Sequence, residues 1–210
     1  MIICDDDQGT PGWFAARLGR PSASNFSKLI TSAGKPSASA SDYIYKLAAE
    51  RISQTVDVGF KSDAMQRGND LEEEARQYYE FISGNDVLQV GFILHESLEF
   101  GCSPDGLIGE SGGLEIKAPS ASTHLKYLES PDKMPTEYFQ QVQGCLYVTG
   151  REWWDFLSYH PNMPHYLIRV TRDEAFISRL AEELDSAIGK ILQKVEKYNE
   201  NRSDHKHQSF

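Results

Sequence analysis

The chain predicts an α/β fold in which a central mixed β-sheet is flanked by helices. Three observations lead there. Apolar residues recur at helical spacing between about 42 and 83. The period then shortens to 2 in brief runs broken by turn residues between 87 and 117. Helix-spaced and strand-like segments alternate again to the C-terminal end. With 210 residues, 40% hydrophobic and 25% charged, the chain suits one domain around one core rather than a disordered segment.

The elements follow in order. Pro11-Gly12 opens a block through Trp13, Phe14 and Leu18, and Ser22 or Ser24 can cap a short helix through Phe26, Leu29 and Ile30. Residues 33–41 (AGKPSASAS) are small and polar and read as a loop. A helix at about 42–54 carries Ile44, Leu47, Ala48 and Ile52, and residues 55–62 connect it to a second at about 63–83 through Met65, Leu71, Ala75, Tyr78 and Ile82, closed by Gly84-Asn85. Val87–Leu94, Leu98–Ser103 and Gly113–Lys117 read as short strands. Helices are expected at 120–129 and at 135–149, the latter opened by Pro135 near N1 and stopped by Gly150. Glu152–His160 and His165–Thr171 are aromatic and β-branched strands around a Pro161–Pro164 turn. The last helix, about 173–199, has Asp173 and Glu174 at its start and an apolar stripe of Phe176, Leu180, Leu184, Ile188 and Leu192. One domain over residues 1–200 and a flexible tail over 201–210, holding His205-Lys206-His207, complete the expectation.

Composition excludes several classes. No stretch approaches the roughly 18 uninterrupted apolar residues of a membrane span, and MIICDDDQGT lacks the pattern of a signal peptide. Cys4, Cys102 and Cys145 form no C-x-x-C pair, and three is an odd number, so a disulfide framework is not expected and a reduced, cytoplasmic chain is. Lys and Arg total 21 against 31 Asp and Glu, a net charge of −10. A nucleic-acid enzyme often shows a basic face. Here a bound cation would have to reverse the sign locally, with an acidic exterior limiting non-specific adhesion.

The chemistry concentrates in Ser103-Pro104-Asp105-Gly106 followed by Leu114-Glu115-Ile116-Lys117. Asp105 falls at the end of one expected strand. Glu115 and Lys117 project from one face of the next, with Ile116 turned to the other. Two carboxylates suit a hard cation such as Mg²⁺, which keeps several waters, and an adjacent ammonium can orient one of them or help deprotonate it. Spacing alone is equally compatible with a solvated turn aspartate and a surface Glu/Lys pair. None of His95, His124, His160 and His165 shows metal-ligand spacing, and Trp153 and Trp154, being adjacent, face opposite sides of their strand.

Pro104-Asp105 with Glu115-Ile116-Lys117 resembles the PD-(D/E)xK nuclease motif. Three further blocks resemble, in the same order, those of the lambda-exonuclease and YqaJ-type viral recombinase family: Trp13–Ser24 (WFAARLGRPSAS), residues 64–76 (AMQRGNDLEEEAR) and residues 138–149 (YFQQVQGCLYVT). The resemblance covers roughly residues 11 to 170. Arg20-Pro21-Ser22 departs from it, standing where the family commonly has a β-branched pair and Thr.

The resemblance implies a restriction-endonuclease-like core and a role for each matching residue. Asp105, Glu115 and the Ile116 carbonyl would hold Mg²⁺ (two ions, with Mn²⁺ as a substitute). Glu72, four residues after Gly68 and at the border of the stripe formed by Leu71 and Ala75, would support the second. Lys117 would serve the water. Arg17 and Ser24, with Ser103 close by, would bind a 5′-terminal phosphate. Gln141 and Tyr138, three apart on one helix, would line the active-site pocket, whereas Gln143 points elsewhere. An amphipathic helix with its glutamines outward is the plain alternative for that segment.

The implied activity is a processive 5′-to-3′ exonuclease. It would degrade one strand of double-stranded DNA from 5′-phosphorylated ends to 5′-mononucleotides, leaving a 3′ overhang for recombination by strand annealing. A homotrimeric ring, a single-strand annealing partner, the cytoplasm of a bacterial host and a phage or prophage origin come with it. The rivals are an endonuclease of the same fold, a catalytically silent DNA-end-binding module and an unrelated acidic interaction domain.

Overall fold

The computed structural model describes residues 1–56 and 63–207, with side-chain surroundings for 1–56 and 70–203. The elements in chain order are β1 (Ile2–Ile3), α1 (Pro11–Arg17), a 3₁₀ segment (Ala23–Lys28), α2 (Ala40–Ser53), α3 (Asp63–Ser83), β2 (Val87–Leu88), β3 (Ile93–Leu94), β4 (Gly101–Cys102), β5 (Gly106–Ile108) and β6 (Gly112–Lys117). They continue with α4 (Ala121–Leu128), α5 (Thr136–Thr149), β7 (Trp153–Ser158), β8 (Tyr166–Thr171) and α6 (Glu174–His207).

The expected mixed sheet is present, in the order β2-β5-β6-β7-β8. Only β6 and β7 run parallel, from Gly112 opposite Trp153 to Lys117 opposite Ser158, and α4 and α5 make the crossover that a parallel pair requires. The other three pairings are antiparallel. The larger core lies between one face of this sheet and α2, α5 and α6, through residues such as Phe26, Leu47, Leu146, Trp154, Phe156, Leu180 and Leu184. The opposite face, with Leu114, Ile116 and Leu157, packs under α3 through Ala75 and Tyr79. Burial of these side chains supplies the main stabilisation.

Several boundaries differ from expectation. Val87–Leu94 is not one strand. β2 joins the main sheet, whereas β3 joins a separate three-stranded sheet, β1-β3-β4. The chain turns between them at Gly91, where a Cβ would stand 1.9 Å from the Asp6 carbonyl oxygen, so only glycine admits the N-terminal segment there. The run Leu98–Ser103 contracts to Gly101–Cys102 because Leu98 takes a left-handed conformation, φ 64°. Helix α1 occupies the block opened by Pro11-Gly12, for which no helix is expected. Thr10 caps it, its Oγ1 accepting from Trp13 N at 3.3 Å, with Pro11 in its first turn. Pro135 is the N-cap of α5 rather than its first residue, and Gly150 closes that helix at φ 69°. The last helix runs to His207 instead of 199, because no Gly or Pro interrupts it after Gly189. Residues 57–62 of the expected connector, residues 208–210 of the expected tail, and the surroundings of Met65, Gly68, His205, Lys206 and His207 lie outside the described set.

Candidate active site

The site gathers at the C-terminal end of β6, between α3 and α5. Asp105 stands just before β5, its backbone N–H donating to the Leu114 carbonyl at 3.2 Å. Its Oδ2 accepts the Ile116 N–H at 2.6 Å, so the side chain continues the β5–β6 ladder where the β5 backbone no longer does. Residues on β6 alternate between the β5 and β7 edges, and Ile116 shares the edge of Leu114. Its carbonyl therefore faces the gap past the end of β5, beside Asp105. The Ile116 side chain packs into the α3-side core, as alternation requires.

Glu115 and Lys117 share the opposite face and are ion-paired through Nζ and Oε1. Gln141 on α5 donates to that same Glu115 oxygen at 2.5 Å. The ring of Tyr138, one turn earlier, lies 5.3 Å from Lys117 Nζ. Gln143 is elsewhere, as expected. It donates to the Thr171 carbonyl and accepts from Asp173 N, which fixes the start of α6. Glu115 is 0% exposed, and its Oε2 is a buried oxygen with no hydrogen-bond partner. A carboxylate oxygen left so is costly unless something else satisfies it.

Burial, then the neighbouring Asp105 and Glu72, pushes the Glu115 carboxyl up to about 7 against the pull of Lys117. Burial also raises Asp105, although Lys117 and the Ile116 N–H oppose it. Burial and then Asp105 raise Glu72. Lys117 itself is raised: burial would lower it, but Glu115 and Asp105 together outweigh that. Lys117 donates to Glu115 in this pair.

Glu72 is half-buried on α3, as its place beside the Leu71–Ala75 stripe required. Arg76 Nη2 holds its Oε1 at 2.6 Å. Glu73 pairs with Arg76, and Glu74 accepts the Tyr159 hydroxyl at 2.6 Å.

A second cluster adjoins the first through Ser103. Its Oγ accepts from Trp13 Nε1 at 3.0 Å and from Arg17 Nη1 at 3.1 Å. Arg17 Nη2 reaches Ser22 Oγ at 3.4 Å, which lies 3.4 Å from Ser24 Oγ, and Asn25 Nδ2 donates to both serines. The guanidinium lies 4.1 Å from the Trp13 ring centroid. No carboxylate pairs with Arg17 among the described residues, and burial pulls its pKa down. A guanidinium surrounded by hydroxyls, with no acidic partner, suits an anion. Ser22, not Ser24, is the N-cap of the 3₁₀ segment, and it belongs to the cluster despite departing from the family pattern. Trp13, Asn25 and Arg76 are the participants that sequence reasoning gave no part, and Ser22 was considered only as a cap and as a departure from the family pattern. Trp13 and Ser22 lie inside a quoted block and could have been assigned from it. Arg76 closes the quoted block 64–76, four residues after Glu72.

The remaining candidates have structural work. Trp154 is core, whereas Trp153 carries the Arg169 guanidinium 3.6 Å from its ring. His124 is buried, bonded to Ser158 Oγ and the Pro164 carbonyl.

The donors fit a hard divalent cation. They are all oxygen, they include the orphaned Glu115 Oε2, and the Ile116 carbonyl faces the gap beside Asp105. Among the described residues no three His, Cys, Asp or Glu side chains converge on one metal position. No helix among the described residues is long and apolar enough to cross a membrane.

Residues 12–152 match the family model described as a YqaJ-like viral recombinase domain. The chain is similar to an alkaline exonuclease (LHK-Exo) from Laribacter hongkongensis at 34% identity, with a TM-score of 0.84, over 93% of this chain and 99% of that one. The structure of that protein in complex with dAMP matches equally well. A phage-related exonuclease from Haemophilus somnus 129PT shares the fold at 16% identity, with a TM-score of 0.66, over 85% and 96% of the two chains. No curated protein matches in sequence.

Proposed function

This chain belongs to the YqaJ-like viral recombinase domain family, and from that premise we propose that it is a divalent-metal-dependent 5′-to-3′ exonuclease of double-stranded DNA. One observation carries the proposal. The Arg17–Ser103 cluster, which has no acidic partner, is joined through Ser103-Pro104-Asp105 to the carboxylate pair Asp105 and Glu115, of which Glu115 Oε2 is buried without a partner. The relatives described as exonucleases, one of them solved with dAMP, support it.

In this reading Asp105, Glu115 and the Ile116 carbonyl hold one cation, Mg²⁺ or Mn²⁺, and Glu72 supports a second. Bound there, such ions would supply Lewis-acid stabilisation of the attacking and leaving oxygens. Lys117 donates to the attacking water and to charge developing on the phosphate. Its raised pKa favours this over proton abstraction. Gln141 fixes the Glu115 carboxylate, and Tyr138 bounds the Lys117 side of the pocket. Arg17, Ser24 and Ser103, with Ser22, receive the 5′-terminal phosphate. The products are 5′-mononucleotides and a 3′ overhang for a single-strand annealing partner. A homotrimeric ring around the duplex gives processivity without tight binding, and a phage or prophage working in a bacterial cytoplasm is the natural setting.

The test uses linear duplex DNA, with and without a 5′ phosphate, beside closed circular DNA in Mg²⁺. The wild type should digest the phosphorylated linear DNA and spare the circle. Lys117→Ala should abolish digestion, and Arg17→Ala should erase the preference for phosphorylated ends by about 10-fold or more while still cutting. Cutting of the circle would make the protein an endonuclease, and no cutting of any substrate would make it an end-binding module.

A further inference from the structure

Arg76 is the buried charged residue at this site that the roles above leave unused. Only 7% of it is exposed. An ordinary i,i+4 ion pair lies in solvent and joins a helix to itself, where it contributes little. Arg76 differs in two respects. Its Nη2 holds Glu72 at 2.6 Å from within the protein, and its Nε leaves the helix to reach the backbone carbonyl of Asp105 at 3.4 Å. Its Nη1 is anchored by Glu73, which also accepts from Gln89 at 3.3 Å. One planar fork therefore spans the carboxylate of α3 and the turn that carries the Asp105 carboxylate. A lysine could hold either but not both in fixed relation.

We propose that Arg76 is a positioning residue: it sets the Glu72 carboxylate relative to Asp105 so that the two can share a second divalent cation. This rests on the reading of Glu72 as a support of that ion. The guanidinium occupies Glu72 Oε1 alone, which leaves Oε2 to turn toward the site. Partners outside the immediate ligands orient them, and their loss typically weakens metal binding by about 10- to 100-fold.

The experiment titrates the metal-free full-length protein with Mn²⁺ alone, in the absence of DNA. Unbound Mn²⁺ is read by electron paramagnetic resonance, and melting temperature is recorded in parallel. The proteins are wild type, Glu72→Gln, Arg76→Met and Arg76→Lys. Glu72→Gln and Arg76→Met should each weaken the weaker of two binding events by about 10-fold or more, with Arg76→Lys intermediate. A purely structural arginine would lower the melting temperature and leave Mn²⁺ affinity as it was, and that result overturns the proposal. So does tighter binding in Arg76→Met, which would make the arginine a competitor for Glu72. If Glu72→Gln leaves binding unchanged, the reading of Glu72 fails and takes the proposal with it. If Glu72→Gln weakens binding and Arg76→Met does not, the proposal about Arg76 fails alone. Should Arg76→Met not fold, Arg76→Lys decides: affinity weakened about threefold or more at an unchanged melting temperature supports the proposal, and unchanged affinity overturns it.

Discussion

Glu115 is where the physical conflict at the site is sharpest. Its carboxyl lies fully buried between Lys117 and Gln141, with one oxygen unsatisfied and its pKa raised from 4.5 to about 7. The sign of the consequence follows from linkage. Below the ordinary glutamate value both folded and unfolded chains carry the proton. As pH rises toward 7 the unfolded chain releases it first, so the metal-free fold loses stability through that window and the loss levels off above it. A cation at Glu115 competes with the same proton. Mg²⁺ affinity should therefore climb as pH rises through about 7 and then flatten, with proton release on binding below that pH. Calorimetric titrations in buffers of different ionisation enthalpy would measure both, and an affinity flat from pH 6 to 8 would remove Glu115 from the ligand set. That Glu115 and Lys117 share a face was legible from strand alternation, whereas their meeting with Asp105 came from the family resemblance, spacing alone leaving it open. The reach of Arg76 to the Asp105 carbonyl was not legible, because tertiary packing makes that contact and local periodicity does not encode it.

At the scale of elements, the β5–β6 hairpin is the frame on which Asp105 and Glu115 are mounted. Arg151, buried at the mouth of β7, donates through Nη1 to the carbonyls of Ile108, Gly109 and Gly112, and so clamps the hairpin from behind. Gly113 lets β6 lie against β7, since a Cβ there would meet the Trp154 ring at 2.3 Å. Arg151→Met keeps the stem but strands those carbonyls. It should cost roughly 3 kcal/mol in urea denaturation and lower activity in proportion to unfolding rather than through metal dependence. A loss below about 0.5 kcal/mol would show that the clamp is redundant. The long helices were readable from their apolar stripes, β7 and β8 from their aromatic and β-branched runs, and β6 from the alternation of Leu114-Glu115-Ile116-Lys117. The dipeptide strands were not, because two residues carry no period. Where Val87–Leu94 divides between two sheets depends on how closely the N-terminal segment passes Gly91.

For the whole molecule, the net charge of −10 sets a limit on how DNA can be held. An interface with 6–10 phosphate contacts loses about 10³–10⁵ in affinity between roughly 50 and 200 mM salt. An acidic body with a narrow attractive track, enclosing DNA as a ring, should make fewer than about five contacts, a log–log slope shallower than about −4.5. Equilibrium binding of phosphorylated linear duplex across that range is the measurement. A flat line would remove the attractive track, and a steeper slope would remove the acidic-exterior account. On the ring reading, run length should resist salt better than initial binding does.

Ser103 and Asp105 are separated by Pro104 alone, whose ring fixes one backbone angle. Two residues of extended chain reach no farther than about 7 Å. If the cluster around Ser103 seats the strand's terminus and Asp105 marks where it is severed, this short stiff span acts as a gauge. It makes the excised length a property of covalent geometry, one unit per bite, whatever the base. An enzyme calibrated this way advances in equal strides and has no need to read the letters it consumes.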